Sequence, residues 1–200
     1  MKIKLSKKEL EIKLSLLKDF IDKKPSLEQY TTPSKNAADL LWTAYMNADI
    51  FSKTVIDAGC GNGILGIGAL LLGAKKAVFI DIDKNAIDCA KENLNDLGLK
   101  NFELINSNLF DVDLKADLLI TNPPFGVQKM NSDKDFLMKC STLAKKIYLI
   151  YKGNGLKVLQ KLFPNKSIEL IKHDELLLKN QFRFHAKNKA KAKIILAKIY

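Results

Sequence analysis

Thr54-Val55-Ile56-Asp57-Ala58-Gly59-Cys60-Gly61-Asn62-Gly63-Ile64-Leu65-Gly66 decides how this chain folds, because a β-branched apolar run passes into a helical one through three alternating glycines. A short run of this composition reads as a buried strand. Glycines there admit positive φ and let a ligand approach the backbone, while the helix that opens after them turns unsatisfied N–H groups toward it. A plain strand-to-helix turn needs no such pattern, so a nucleotide-like ligand is implied.

Downstream, short apolar runs alternate with helical segments, the signature of a parallel sheet covered on both faces. Strands are expected at Thr54 to Asp57, Ala77 to Ile82, Asn101 to Asn106, Asp117 to Thr121, Ile147 to Tyr151, Ser167 to Ile171 and Lys193 to Ile199. Helices are expected at Ile64 to Leu72, Lys84 to Leu97 with Gly98 as its C-terminal cap, Asp133 to Leu143 and Leu156 to Leu162. After Ile147 the alternation weakens, and the last two strands are joined by a long non-helical stretch, which predicts an antiparallel hairpin at the sheet edge. Upstream, Ser6-Lys7-Lys8-Glu9 is a capping-box pattern and predicts a first helix to about Asp22, stopped at Pro25. A second helix is expected with Thr32 as N-cap, Pro33 in its first turn, and Ala37, Leu40, Leu41, Ala44 and Tyr45 inward. The fold class is therefore α/β: a doubly wound, Rossmann-like sheet of seven strands with helices on both faces and an antiparallel C-terminal strand. One domain is expected, with a helical segment over 1–50 ahead of the sheet over 51–200, and no internal repeat is visible.

The chain has 200 residues, 47% hydrophobic and 28% charged, which is globular composition, and no apolar run long enough to cross a bilayer. The basic start, alternating charge with apolar residues, is not a secretory signal, so a cytoplasmic location is expected. Cys60, Cys89 and Cys140 are far apart without paired spacing, so neither a disulfide nor a metal site is expected. A net charge of +11 favours a polyanion. Nearly all of that charge is lysine, with Arg183 the sole arginine, which suits phosphate tracking better than bidentate base reading.

Gly61-x-Gly63-x-x-Gly66 also fits a dinucleotide fingerprint, with Asp81 20 residues after Gly61 where a ribose-binding acid belongs. Asp57 separates the cofactors, since a carboxylate beside the loop repels pyrophosphate and attracts the sulfonium and amino group of S-adenosyl-L-methionine. In Asp81-Ile82-Asp83, Asp81 can accept both ribose hydroxyls and Asp83 caps the next helix.

The fourth strand ends in Thr121-Asn122-Pro123-Pro124-Phe125-Gly126, at the strand ends where open α/β sheets bind ligands. The prolines stiffen the segment and leave the Asn122 side chain and the Pro123 carbonyl as acceptors. Two rigid acceptors suit an exocyclic base amine: held by both hydrogens, its nitrogen pyramidalises and its lone pair is aimed at a methyl group. Phe125 would stack on a base taken from a single strand or flipped out of a helix.

Leu27-Glu28-Gln29-Tyr30, Asp57 to Gly63, Asp81-Ile82-Asp83 and Asn122-Pro123-Pro124-Phe125-Gly126 together resemble the archaeal and eukaryotic methyltransferase-like protein 5 family over nearly the whole chain. That family methylates adenine N6 in small-subunit ribosomal RNA. The resemblance implies that Gln29 and Thr32 close over the methionine end of the donor, that Gly59, Asn62 and Ile64 line it, and that Asn108-Leu109 flank its adenine. It also implies that a small zinc-binding methyltransferase activator protein can cover apolar surface at the sheet edge. Two positions depart: Thr31 replaces a frequent proline and should loosen its loop, and Asn108 replaces a frequent aspartate, with Asp111 and Asp113 nearby leaving the register open. Phe184-His185 resembles the family's C-terminal Phe-His.

Lys187, Lys189, Lys191 and Lys193 alternate with small residues and on a strand would share one face, an RNA-binding stripe with Arg183 and His185 or a solubilising edge. Three other readings remain open: guanine N2 or a protein glutamine amide as acceptor, and an RNA-binding module without turnover.

Overall fold

The computed structural model of the protein describes residues 5–20, 23–125, 132–178 and 190–200. Its centre is a seven-stranded sheet: β1 (Thr54–Ala58), β2 (Lys76–Asp81), β3 (Phe102–Asn106), β4 (Ala116–Thr121), β5 (Ala144–Lys152), β6 (Ile168–Leu178) and β7 (Ala190–Ile199). In space the order is β3-β2-β1-β4-β5-β7-β6. The first five strands are parallel, and β7 runs antiparallel between β5 and β6. The expected antiparallel hairpin forms the edge, but both its strands are longer than predicted and reach into the stretch read as connection, where Leu176, Leu177 and Leu178 pair with Ala192, Lys191 and Ala190.

Strand alternation divides the core. Val55, Phe79, Leu118, Ile120, Tyr148 and Ile150 pack under α1 (Lys7–Ser15), α2 (Ser34–Met46), α3 (Ile64–Leu71) and α4 (Lys84–Asp96). Ile56, Ile80, Leu119, Ile147 and Leu149 pack under α5 (Ser132–Leu143) and α6 (Gly155–Leu162). In α2, Ala37, Leu40, Leu41 and Ala44 are fully buried, as their spacing predicts. No helix of the described residues is long and apolar enough to cross a membrane.

Two helix boundaries differ from the sequence reading, and both differences supply the site. The capping box of α1 forms, with Glu9 N donating to Ser6 Oγ at 3.3 Å, but the helix ends at Ser15. Beyond it Asn93 Oδ1 accepts Lys18 N–H at 2.9 Å, and Lys18 C=O accepts from Asn62 and Asn93, both at 3.0 Å. Backbone groups spent on side chains cannot continue a helix, and the chain instead runs along the glycine loop. Likewise α2 starts at Ser34 with Pro33 as its N-cap. Thr32, expected as that cap, uses its hydroxyl elsewhere.

Candidate active site

A cavity of about 280 Å³ opens at the carboxyl ends of β1, β2 and β4. Among its lining residues are Gln29, Thr32, Asp57, Gly59, Gly61, Asn62, Ile64, Asp81, Asn108, Leu109, Asn122 and Pro124 from the sequence reading. Pro123, Phe125 and Gly63 do not line it. Gly63 caps α3 at φ +85°, and a Cβ there would stand 3.1 Å from that of Ala90, so this glycine serves the packing of α3 against α4. The Phe125 ring packs edge-on against Tyr151, with centroids 6.5 Å apart.

The carboxylates are placed by the loop. Asp81 accepts Gly61 N–H and Asp83 N–H, each at 2.9 Å and each on a different oxygen, and burial raises its pKa above the usual carboxylate range. One acceptor position per oxygen remains. Asp57 is buried and accepts Gly66 N–H at 2.7 Å, and burial pushes its pKa up to about 8. Burial thus favours the neutral form of Asp57 in the free protein, and its carboxyl is tied to the first turn of α3. Asp83 caps α4 through Asn85 N–H at 3.2 Å, as expected, and also binds Lys24 at 3.0 Å and Gln29 Nε2 at 2.9 Å. These partners outweigh burial and keep its pKa low. Gln29 thus ties the segment Ser26–Thr32 to the end of β2.

Asn108 Oδ1 accepts Phe110 N–H at 3.2 Å, capping a single turn over Leu109–Asp111. Asn108, Leu109 and Ser107 line the cavity whereas Asp111 and Asp113 do not. The Thr31 hydroxyl, where a proline would have no such group, donates to Asp19 Oδ2 at 2.6 Å and accepts from Lys23.

At the end of β4, Thr121 Oγ1 donates to Ala58 C=O at 2.7 Å, joining β4 to β1. Next to it Asn122 Nδ2 donates to Thr32 Oγ1 at 3.0 Å. That bond fixes the amide, and Asn122 Oδ1 is buried with no partner. A buried acceptor left unmatched costs about 1 to 3 kcal/mol, so one that persists beside a cavity calls for a donor from a ligand.

The sequence reading missed Phe20, which stands against Gly61, and Phe136 of α5, which stands against Gly59; both line the cavity. It also assigned nothing to Glu28, Asp133, Tyr151 and Lys152, which surround Phe125. A distinctive Leu-Glu-Gln-Tyr segment was the signal for Glu28; the others belong to an ordinary helix start and strand end. Cys60, Cys89 and Cys140 are buried thiols, raised in pKa by burial, and no described cluster of His, Cys, Asp or Glu could hold a metal. Arg183, His185, Lys187 and Lys189 lie outside the described residues, as does Gly126. Lys191 pairs with Leu177 in the β6–β7 ladder, and Lys193 is exposed in β7.

The methyltransferase small domain family matches residues 35–196. MJ0284 of Methanocaldococcus jannaschii is 42% identical over 74% of this chain and 71% of its own. The rRNA N(6)-adenosine-methyltransferase METTL5 of Danio rerio is 32% identical over 90% of this chain and 91% of its own. The crystal structure of PH1948 from Pyrococcus horikoshii superposes with a TM-score of 0.88 at 34% identity, covering 98% and 97% of the two chains. With its glycine loop, acidic β2 terminus and Asn-Pro-Pro-Phe turn around one cavity, the chain belongs to the methyltransferase small domain family and, within it, stands with the methyltransferase-like protein 5 enzymes.

Proposed function

We propose that this protein transfers a methyl group from S-adenosyl-L-methionine to the exocyclic N6 amine of an adenosine in RNA, with small-subunit ribosomal RNA as its substrate. The observation that carries this reading is Asn122 Oδ1, a buried, unpartnered acceptor held still by Thr32. The cavity suits the donor: Asp81 offers acceptors for ribose hydroxyls, Gly59 and Gly61 bare backbone, and Ile82 and Leu109 apolar walls for a base. The donor, when bound, supplies a methyl group on a positively charged sulfur. Asn122 Oδ1 and the Pro123 carbonyl take the two hydrogens of the target amine, which localises its lone pair without a strong base. Asp57, Asn62 and Ile64 hold the methionine part under Gln29 and Thr32, while Asn108 and Leu109 flank the adenine. The named activity of the zebrafish relative and the excess of lysine support an RNA acceptor.

Phe110, exposed in the single turn that follows edge strand β3, offers apolar surface at the sheet edge to a small zinc-binding activator protein. The test of the reaction is mass-spectrometric nucleoside analysis of small-subunit ribosomal RNA incubated with the protein and labelled donor. N6-methyladenosine is the expected product; N2-methylguanosine, or label in a protein glutamine, would replace this reading.

Asp81→Ala removes a partly buried carboxylate acceptor of ribose hydroxyls and should weaken donor binding by about 1.5 to 3 kcal/mol. Calorimetry with S-adenosylmethionine checks it, and unchanged affinity would remove Asp81 from the site. Changing Lys187, Lys189, Lys191 and Lys193 together to Gln should flatten the slope of log RNA affinity against log salt by roughly 0.7 to 0.9 per lost phosphate contact. A parental slope would mean that the stripe only protects an edge.

A further inference from the structure

We infer that Glu28 and Lys152 are positioning residues that clamp the two peptide groups flanking Phe125 and so set the orientation of the Asn-Pro-Pro-Phe acceptors. The inference rests on the proposed use of those acceptors. Glu28 Oε2 accepts Phe125 N–H at 2.7 Å, and Lys152 Nζ donates to Phe125 C=O at 3.2 Å. A carboxylate thus stands on the donor side of Phe125 and an ammonium on its acceptor side. Lys152 is itself held by Asp133 Oδ2 at 2.6 Å, and the same carboxylate accepts the Tyr151 hydroxyl, whose ring meets the Phe125 ring edge-on.

The need for a clamp follows from the two prolines. Neither has an N–H, so after Asn122 the first backbone donor in the segment is Phe125 N. Proline fixes φ but leaves ψ soft, and with Asn122 held by Thr32 at one end, anchoring Phe125 N–H at the other restrains the ψ freedom left to Pro123 and Pro124. Glu28 does this from the segment that roofs the donor cavity, and its own backbone sits at φ +49°, a conformation side chains other than glycine rarely adopt. Its carboxylate is buried. Thr32, four residues on, ties the same roof to Asn122. The roof over the donor and the turn that presents the acceptors are therefore one connected unit.

The test compares Glu28→Gln, which keeps an acceptor for Phe125 N–H, with Glu28→Gly, which removes it while suiting the positive φ, and with Lys152→Met. In the ¹⁵N-labelled protein without donor or RNA, the Phe125 amide proton should move upfield and lose exchange protection in Glu28→Gly, and keep its protection in Glu28→Gln. With donor and RNA saturating, kcat should fall on the order of 100-fold in Glu28→Gly, the usual loss for a misplacement of about 1 Å. It should recover to within about threefold in Glu28→Gln; Lys152→Met combined with Glu28→Gly should cost less than the two separate losses together, since both hold one element. An unchanged Phe125 amide in Glu28→Gly, or a full loss of kcat in Glu28→Gln, overturns the clamp. Should the parent protein itself methylate no adenosine, the proposed function fails, while the amide comparison still decides whether Glu28 holds Phe125.

Discussion

Replacing Asn122 by alanine lowers turnover by about 100- to 1,000-fold, roughly 2.7 to 4 kcal/mol, the typical loss of one preorganised polar group from a transition state. Donor affinity changes far less. The side chain has two faces: Nδ2 binds Thr32 at 3.0 Å and Oδ1 has no partner. Alanine removes the first, a neutral bond worth about 0.5 to 1.5 kcal/mol, and this bounds the effect on the cavity roof. It also removes the second, which matters only when the target amine is present. Single-turnover rates at saturating donor and RNA, set beside calorimetric donor affinity, separate the two. Phe125→Leu should instead weaken RNA capture by roughly 1 to 3 kcal/mol, the value of stacking one base. Near-parental turnover in Asn122→Ala would reduce the tetrad to a strand terminator and take the amine-methyltransferase mechanism with it.

Gly66→Ala should destabilise the protein by about 1 to 3 kcal/mol, the cost of overpacking a filled core. A Cβ at this position would stand 2.3, 2.7 and 3.0 Å from three atoms of the Phe79 ring. Phe79 is fully buried in β2 and cannot swing away into solvent. For a chain of this size each kcal/mol lowers Tm by about 2 to 4 °C, so a melting shift of roughly 2 to 12 °C is expected. Phe79→Leu in the same protein should recover part of it. A parental Tm in Gly66→Ala would show that α3 can lift from the sheet at no cost. The third glycine of Gly61-x-Gly63-x-x-Gly66 thus answers to helix-on-strand packing, which both nucleotide-binding families need, and this is why the spacing alone left the cofactor undecided.

Legibility followed the range of the interactions. All seven strands and the helices between them were readable because a buried parallel strand advertises itself in a few adjacent residues, and Asp83 was readable as a cap because capping is local. What escaped was decided by distant partners. The early end of α1 depends on Asn62 and Asn93, and the late start of α2 on Asn122 claiming Thr32. Thr31 was read as a loosened proline because its partners Asp19 and Lys23 cannot be paired with it from spacing. Asp57 was legible as a carboxyl beside the loop, but the burial that raises its pKa comes from packing that spacing does not show. Of the site, the glycine loop, Asp81 and Asn122 were legible; Phe20, Phe136 and the surroundings of Phe125 were not, since they come from three separate parts of the chain.

The place of β7 bears on how the protein is made. It is the last strand in chain order, yet it lies between β5 and β6. Until Ala190–Ile199 emerges, β5 has parallel β4 on one side and nothing on the other, although its Ile147, Leu149, Ile150 and Tyr151 are fully buried in the finished sheet. At synthesis rates of about 5 to 20 residues per second, the interval between the end of β5 and the end of β7 lasts roughly 2 to 10 s. During that time a nascent chain displays a long, apolar, unpaired edge of the kind that recruits other chains. The same late strand that closes the sheet therefore sets how long that edge stays uncovered.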